Sequence, residues 1–529
     1  NPTDSANIVV SPIRQDFSNS VISCPVYYTN DFGNTWAESS FLNMPHVSGQ
    51  MSGGGGDPVF AYDKNGRLYF SWIDLYGTSG SFMYGTVNMG IFWAYSDDGG
   101  ASWIQPVHDT ILLGQMQMIM GFPISVISPI SDKQWMAVDM TDGAHQNNLY
   151  ISYVTISGTN TYQIKCKTKP AGIDQFTTEA VVTDPADFTL VQFSSVCVDN
   201  AGNVHIVFYG VDNSSNTSLW HSVSTDGGVS FSTPNKISDI RFNLPMAQIT
   251  PYDLISGIKD DRLYPSPYMD ADPVSPNIYV TWTAFGIDSD LGNGADIYFS
   301  RSVDNGAVWS TPIIVNDDAT GTGIHNYYSS IYVKPNGDVK VSWYDRRNDL
   351  SGNINTHYYY ATSEDGGLSF GTNYPGSNVA TDFSTVGTNN QDFGIGEYTQ
   401  VLASDNYTIP VWCDGRENNG NLNVFIAFID DNSVGSERVM NVNSKLYVSN
   451  TFPNPAVSDI QVDFSIPGDA LINLEILDGS GRYIKTIAKG YFYEGTNRVR
   501  ADISGLSSGH YYIRLQSEGK FVARKFSVY

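Results

Sequence analysis

The chain is poor in positive charge and in cysteine, and it has no uninterrupted membrane-length apolar run. Its 529 residues hold 28 Lys+Arg against 54 Asp+Glu, a net charge of −26. A surface this anionic repels nucleic acid and acidic lipid, which excludes both as expected partners. The four cysteines, Cys24, Cys166, Cys197 and Cys413, form no Cys-x-x-Cys pair, which argues against a zinc site. Their even number permits disulfides, and buried free thiols are the alternative. The most apolar stretch, Ile111–Ile130, is broken by Gln115, Gln117, Gly121, Pro123 and Pro129, so no membrane-spanning segment is expected. It reads instead as a long surface loop, with Met116, Met118 and Met120 able to cover a neighbour. No signal peptide is visible at Asn1, so a chain trimmed after signal-peptide removal is expected.

What the chain has in abundance is Gly (49), Tyr (33) and Phe (26), with only 16% charged residues. That mixture favours many short strands joined by tight turns. At this length the chain is either multidomain or a repeat array.

A repeat is present. The pattern Ser/Thr-x-Asp-x-Gly-x-x-Trp/Phe occurs five times, centred on Asp31, Asp98, Asp226, Asp304 and Asp365. The hydroxyl and the carboxylate can accept turn N–H groups, the glycine supplies positive φ, and the aromatic anchors the returning strand. These aspartates are therefore read as structural. The 128-residue gap from Asp98 to Asp226 is about two units long, which predicts a degenerate copy near Thr168–Phe176. Upstream of each turn lie alternating strands, and the second ends on an aromatic in six units: Trp72, Tyr153, Phe208, Trp282, Trp343 and Trp412. Four strands per unit make a propeller blade. Counting the partial unit that begins at Asn1, with Ile8–Ser11 as its second strand, gives seven blades over residues 1–431.

This pattern resembles the sialidase-like Asp-box (BNR-repeat) propellers. The likeness extends to Asp-Lys-x-Trp (Asp132, Lys133, Trp135) and Trp-x-Asp-x-Arg (Trp343, Asp345, Arg347 and Trp412, Asp414, Arg416). The resemblance implies a site on the face opposite the Asp-boxes. Its candidates are Arg14, Asp74, Asp345, Arg346, Arg347, Asp414 and Arg416 after second strands, with Asp57, His325, Asp392, Glu397 and Tyr398 before first strands. A sialidase would clamp its sugar carboxylate with three arginines, here Arg14, Arg347 and Arg416, beside a Glu-activated Tyr nucleophile. The Phe/Tyr-Arg-Ile-Pro segment of true sialidases is missing, and alternation would aim Glu397 and Tyr398 to opposite faces. The alternative is that Asp345–Arg347 and Asp414–Arg416 pair within their blades. The cluster Asp288, Asp290, Asn293, Asp296 has oxygen ligands around a glycine turn that suit calcium, an ordinary solvated loop being the other reading.

Residues 432–445 are polar and read as a linker without strands. Residues 446–529 carry turn signals and about seven strands, which suggests a small Ig-like β-sandwich. This part has nine Lys+Arg and eight Asp+Glu, a net of +1, so the first 445 residues carry −26 − 1 = −27. Phe452-Pro453-Asn454-Pro455, Asp478-x-x-Gly481-Arg482, Leu506-x-x-Gly509-x-Tyr511 and Lys525-Phe526 resemble the type IX secretion sorting domain of Bacteroidetes. A fibronectin-like or glycan-binding module is the alternative. The sorting resemblance implies type IX machinery as a partner and a secreted or outer-surface location. Two functions remain open: a glycan-interacting propeller, with glycoside hydrolysis as its catalytic form, and a non-catalytic scaffold that docks a surface protein.

Overall fold

The structure is a computed structural model. It describes all residues except 17–20, 42–48, 159–160, 243–254, 256, 259–262, 288–293, 320–321, 387–394, 396, 405, 417–419, 432–436, 442–445, 449–450, 452–453, 467–469, 480, 493–494 and 518–519. The described residues are all-β apart from one short 3₁₀ turn, Phe383–Thr385. No helix among them is long and apolar enough to cross a membrane.

Antiparallel sheets follow one another along the chain. Sheet one has three short strands, Ile8–Val10, Tyr27–Thr29 and Ala37–Glu38. Sheet two runs from Met51 to Ser128 in five strands. Sheets three, four and five have four strands each, beginning at Ile130, Phe188 and Tyr268. Sheet six begins at Asn326 and sheet seven at Gln400. Trp72, Tyr153, Phe208, Trp282, Trp343 and Trp412 do not end the second strands of sheets two to seven, which run on past them, but all six are buried. Each belongs to a buried hydrophobic cluster, which is why the unit repeats a large side chain there.

The Asp-box turns are built alike. In each the hydroxyl oxygen accepts the glycine N–H, at 2.9 Å for Thr29–Gly33, Ser96–Gly100 and Ser224–Gly228 and 2.8 Å for Ser302–Gly306 and Ser363–Gly367. The same hydroxyl donates to the aspartate, which accepts a second N–H four residues beyond itself. Around Thr168–Phe176 the chain turns at the corresponding corner without the motif. Thr177 N–H returns to the Thr168 carbonyl at 3.0 Å, and Phe176 packs edge-on to Trp93.

Two readings need correction. Ile111–Ile130 is not a loop: Thr110–Ile119 and Phe122–Ser128 are the outer strands of sheet two. Met120 (φ 53) and Gly121 (φ 81) form their tight turn, a conformation that matches strand twist. Pro123 is tolerated because its strand lies at the sheet edge. Met116 and Met118 are buried with Val87, whereas Met120 and Phe122 are exposed. Nor is 432–445 strandless: Glu437–Asn441 is the outer strand of sheet seven. An edge strand pairs on one side only and tolerates a polar sequence.

Contacts divide the chain into two compact units. One comprises Asn1–Ser5, Val9–Val26 and Glu38–Met440; the other comprises Ala6–Ile8, Tyr27–Ala37 and Asn441–Tyr529. Within the second, a three-stranded sheet (Tyr447–Val448, Asp459–Ile466, Gly495–Asp502) and a four-stranded sheet (Ala470–Asp478, Tyr483–Phe492, Gly509–Ser517, Lys520–Val528) enclose one core that includes Phe464, Leu474 and Ile513. All four cysteines are free; Cys24, Cys166 and Cys197 are buried and Cys413 is half-buried.

Candidate functional site

The first strands of sheets two, three, four and six carry a recurring irregularity. Register breaks between Gly56 and Val59, Asp132 and Trp135, Gln192 and Ser195, and Tyr327 and Ser330 each enclose one residue at positive φ. Those residues are Asp57 (φ 51), Lys133 (φ 54), Phe193 (φ 56) and Tyr328 (φ 53), and Ser266 (φ 40) lies just before the first strand of sheet five. A bulge bends the strand and re-aims the side chain. Non-glycine residues rarely adopt this conformation, and such strain concentrates at functional sites.

Three of the re-aimed segments meet. Lys133 Nζ lies 3.6 Å from Glu397, and both side chains are mostly buried. The ammonium also sits 4.8 Å from the Tyr398 ring centre and 5.1 Å from that of Tyr264. Tyr398 donates its hydroxyl to Asp57 at 3.2 Å, and Gln134 donates to the Asp57 carbonyl at 2.6 Å. Trp135 stacks on Tyr398 at 6.3 Å and meets Tyr268 edge-on at 4.9 Å. Phe193, Ser194 and Pro267 complete a cavity of about 20 Å³, room for one water and not for a sugar ring.

The charges in this recess are interdependent. Burial pushes the Asp132 carboxyl up to about 6, Lys133 opposes the rise, and the neighbouring Asp57, which shares a hydrogen bond with it, reinforces it. Burial works against the Lys133 ammonium, but Asp57, Glu397 and Asp132 outweigh it and hold the group charged. Burial raises the Tyr398 and Tyr268 hydroxyls far above the ordinary tyrosine range. The result is a carboxyl held above its usual range beside a fixed cation and an aromatic wall. Such a group can hand over or accept a proton.

The arginines are placed differently. Arg347 pairs with Asp345 at 2.7 Å and also binds Asp317 and Asn373. Arg416 pairs with Asp414 and donates to Asn378. In both motifs the tryptophan indole donates to the same aspartate at 2.8 Å, so Trp, Asp and Arg lock together on one strand end. Arg346 is fully buried and donates to Thr356, the Asn353 carbonyl and Tyr327. Arg14 is exposed and lies 3.6 Å from Glu38. These guanidinium groups are engaged by local partners and do not present a free three-point clamp. Asp74 is buried and accepts from Ser52. His325 accepts from the Ala295 N–H at 3.2 Å, and burial with the Arg346 charge pushes it down to about 4.

Glu397 and Tyr398 line the same recess, contrary to the alternation argument. They precede the first strand of sheet seven, Gln400–Ala403, so no strand pleat separates them. Sequence reasoning named Asp57, Glu397 and Tyr398, and quoted Asp132 and Lys133 only as family markers. Their signal was the polar break in alternation at Lys133-Gln134, which has a counterpart at Asp57-Pro58. Of the calcium candidates, Asp288, Asp290 and Asn293 lie outside the described residues, as does Asp392; Asp296 accepts from Asn316 at 2.9 Å. No group of three metal-ligating side chains occurs among the described residues.

In its successive antiparallel sheets and Asp-box turns the chain resembles the sialidase-like Asp-box propellers. Residues 450–529 match the secretion system C-terminal sorting domain. This type IX sorting tail implies secretion. No curated protein matches the chain significantly. Among solved structures, it is similar to a polysaccharide lyase, an ulvan lyase (8% identity, 81% of this chain and 90% of that one, TM-score 0.43). It is also similar to a Hadza microbial sialidase (9%, 74% and 71%, 0.40). A third is the Trypanosoma rangeli sialidase (8%, 98% and 88%, 0.38).

Proposed function

We propose that this is an exported, glycan-acting protein whose seven sheets form a seven-bladed ring, followed by an Ig-like sorting sandwich. The reading rests on one observation above the others: Asp57, Asp132, Lys133, Glu397 and Tyr398 converge from three sheets, where burial raises the Asp132 carboxyl above the usual carboxylate range. In this reading Asp132 is the proton donor, and Asp57 tunes it by sharing its proton. Lys133 anchors a ligand oxygen, and Trp135 with Tyr264 supports the sugar from the side. Because the cavity itself holds only a water, the glycan lies over the recess, not within it. The substrate is not a sialoside, since Arg347 and Arg416 are committed to Asp345 and Asp414. The sorting domain delivers the protein to the outer surface or the medium.

The test is a panel of neutral, uronic-acid and sialylated polysaccharides, followed by product release and by binding. Binding or turnover of a non-sialylated glycan, reduced at least tenfold in Asp132→Asn, is the expected result. Sialic acid release that is lost in Arg347→Ala would overturn the assignment, as would a complete lack of glycan binding. A second reading, a docking scaffold without catalysis, is favoured by the small cavity and by the exposed Met120, Phe122, Ile124 and Ile127 on the outer hairpin of sheet two. Binding without turnover, insensitive to Asp132→Asn, would select it.

A further inference from the structure

Sheet four also contains a buried hydrogen-bond chain, built on its second and third strands. His205 lies on Val204–Asp212 and His221 on Thr217–Ser224, and both are at most 1% exposed. His205 Nε2 is 3.2 Å from Asp199 Oδ2, and His205 Nδ1 is 3.0 Å from His221 Nε2. His221 Nδ1 is 3.0 Å from Asn235 Oδ1. The two rings stack at 5.2 Å.

The ends of this chain are fixed as acceptors. Asp199 accepts the N–H groups of Ala201 and Asn203 and the Asn203 side-chain amide, which identifies it as an ionised carboxylate. Hydrogen bonds from Asn203 and His205 outweigh burial and hold it below the usual carboxylate range. Asn235 donates its amide nitrogen to the Gly306 carbonyl at 3.0 Å, so its oxygen must face His221. Three ring-nitrogen hydrogen bonds then run between two acceptors. They need three N–H protons, whereas two neutral imidazoles carry two. We infer that His205 and His221 together hold one extra proton, a single shared positive charge balanced by Asp199, and that this charge makes the contact between sheets four and five sensitive to pH on both sides of neutrality.

The side chains in register with the pair are uncharged among the described residues, and beyond them the buried Asp270 acts on Cys197, opposite His205. Cys197 and Val223 flank His205 in register, and Val207 and Asn235 flank His221. Gly306 and Trp309, from the Asp-box turn of sheet five, cover His221, with the Trp309 ring edge-on at 5.3 Å. Among the described residues, Asp199 is the one charged group hydrogen-bonded to the pair. A second extra proton would set two N–H groups against each other. Accordingly, burial and the His205 charge push His221 down to about 3.

The repeat supplies a control. One unit later, Tyr279 and Phe299 occupy the matching positions, stacked at 5.8 Å, and the Gly367 turn packs on them as Gly306 packs on His221. The double variant His205→Tyr/His221→Phe therefore replaces the titrating pair with one the repeat already uses.

Below about pH 6.5 the unfolded chain binds two protons at these histidines and the folded chain one; above it the unfolded chain binds none and the folded chain still one. The stability difference between wild type and double variant should peak near pH 6.5. Its equilibrium constant should fall about tenfold per pH unit on either side. Chemical denaturation of the full chain from pH 4.5 to 8.5 measures this. A difference that rises with pH to a plateau, as for two neutral rings, overturns the inference, as does one independent of pH. If the double variant does not fold, ¹⁵N-histidine spectra of the wild type at pH 7.5 decide: one imidazolium in the pair supports the shared proton, and two neutral rings refute it.

Discussion

The two ends of the same sheets follow opposite rules. At the Asp-box end, five turns repeat one set of hydrogen bonds with lengths that agree within 0.1 Å for the hydroxyl–glycine contact. At the other end, the recurrent position of positive φ is also kept, but its residue is Asp57, Lys133, Phe193, Ser266 or Tyr328. Backbone geometry is conserved among the sheets at both ends; side-chain chemistry is constant at one and different at every copy of the other. A repeated residue supports the scaffold, whereas a repeated conformation with changing residues builds something asymmetric.

The comparison breaks most severely at Lys133. Lys133→Ala leaves Asp57, Asp132 and Glu397 facing one another without their cation, and should cost about 3 kcal/mol of stability, as for other broken buried pairs. Urea denaturation measures it; a change below about 1 kcal/mol would mean that the recess is open to water. Asp132→Asn should act through pH. Its folded-state value is raised to about 6, so the folded form keeps a proton that the unfolded form loses near 4. The stability difference between wild type and variant should therefore fall as pH rises from about 4 to 6, by on the order of 1–2 kcal/mol.

At the constant end the effects are smaller. Asp226→Ala removes the acceptor of the Ser230 and Val229 N–H groups and should cost about 1 kcal/mol, the scale of a lost cap. Hydrogen bonds from Ser230 depress the Asp226 carboxyl to about 2. Its contribution is present above about pH 4 and fades as pH falls toward 2, the reverse of Asp132. Comparable losses in Asp304→Ala and Asp365→Ala would sharpen the point that the turns are interchangeable. The smallest effect belongs to Phe122→Ser on the exposed hairpin, within about 0.5 kcal/mol by thermal denaturation.

The legibility of the sequence follows the same division. The Asp-boxes could be read because their partners lie within four residues, so pattern and hydrogen bond coincide. The buried aromatics were legible from alternation. The recess was only half legible: Asp57, Lys133 and Glu397 are brought together by curvature across hundreds of residues, and no local pattern encodes that. The hairpin Thr110–Ser128 was obscured by Pro123 and Gly121, which break most strands but suit an edge and a tight turn. The arginines gave the opposite error, since Trp-x-Asp-x-Arg is legible as a motif while its internal pairing leaves little free for a ligand.

The free thiols have a practical consequence. Cys24 precedes sheet two, whereas Cys166, Cys197 and Cys413 lie in sheets three, four and seven. With no cross-link among them, each becomes reactive only when its own surroundings open, because burial raises all four and keeps them in the unreactive protonated form. Alkylation followed by peptide mass spectrometry would thus time the opening of separate sheets within one molecule, using reporters already in place.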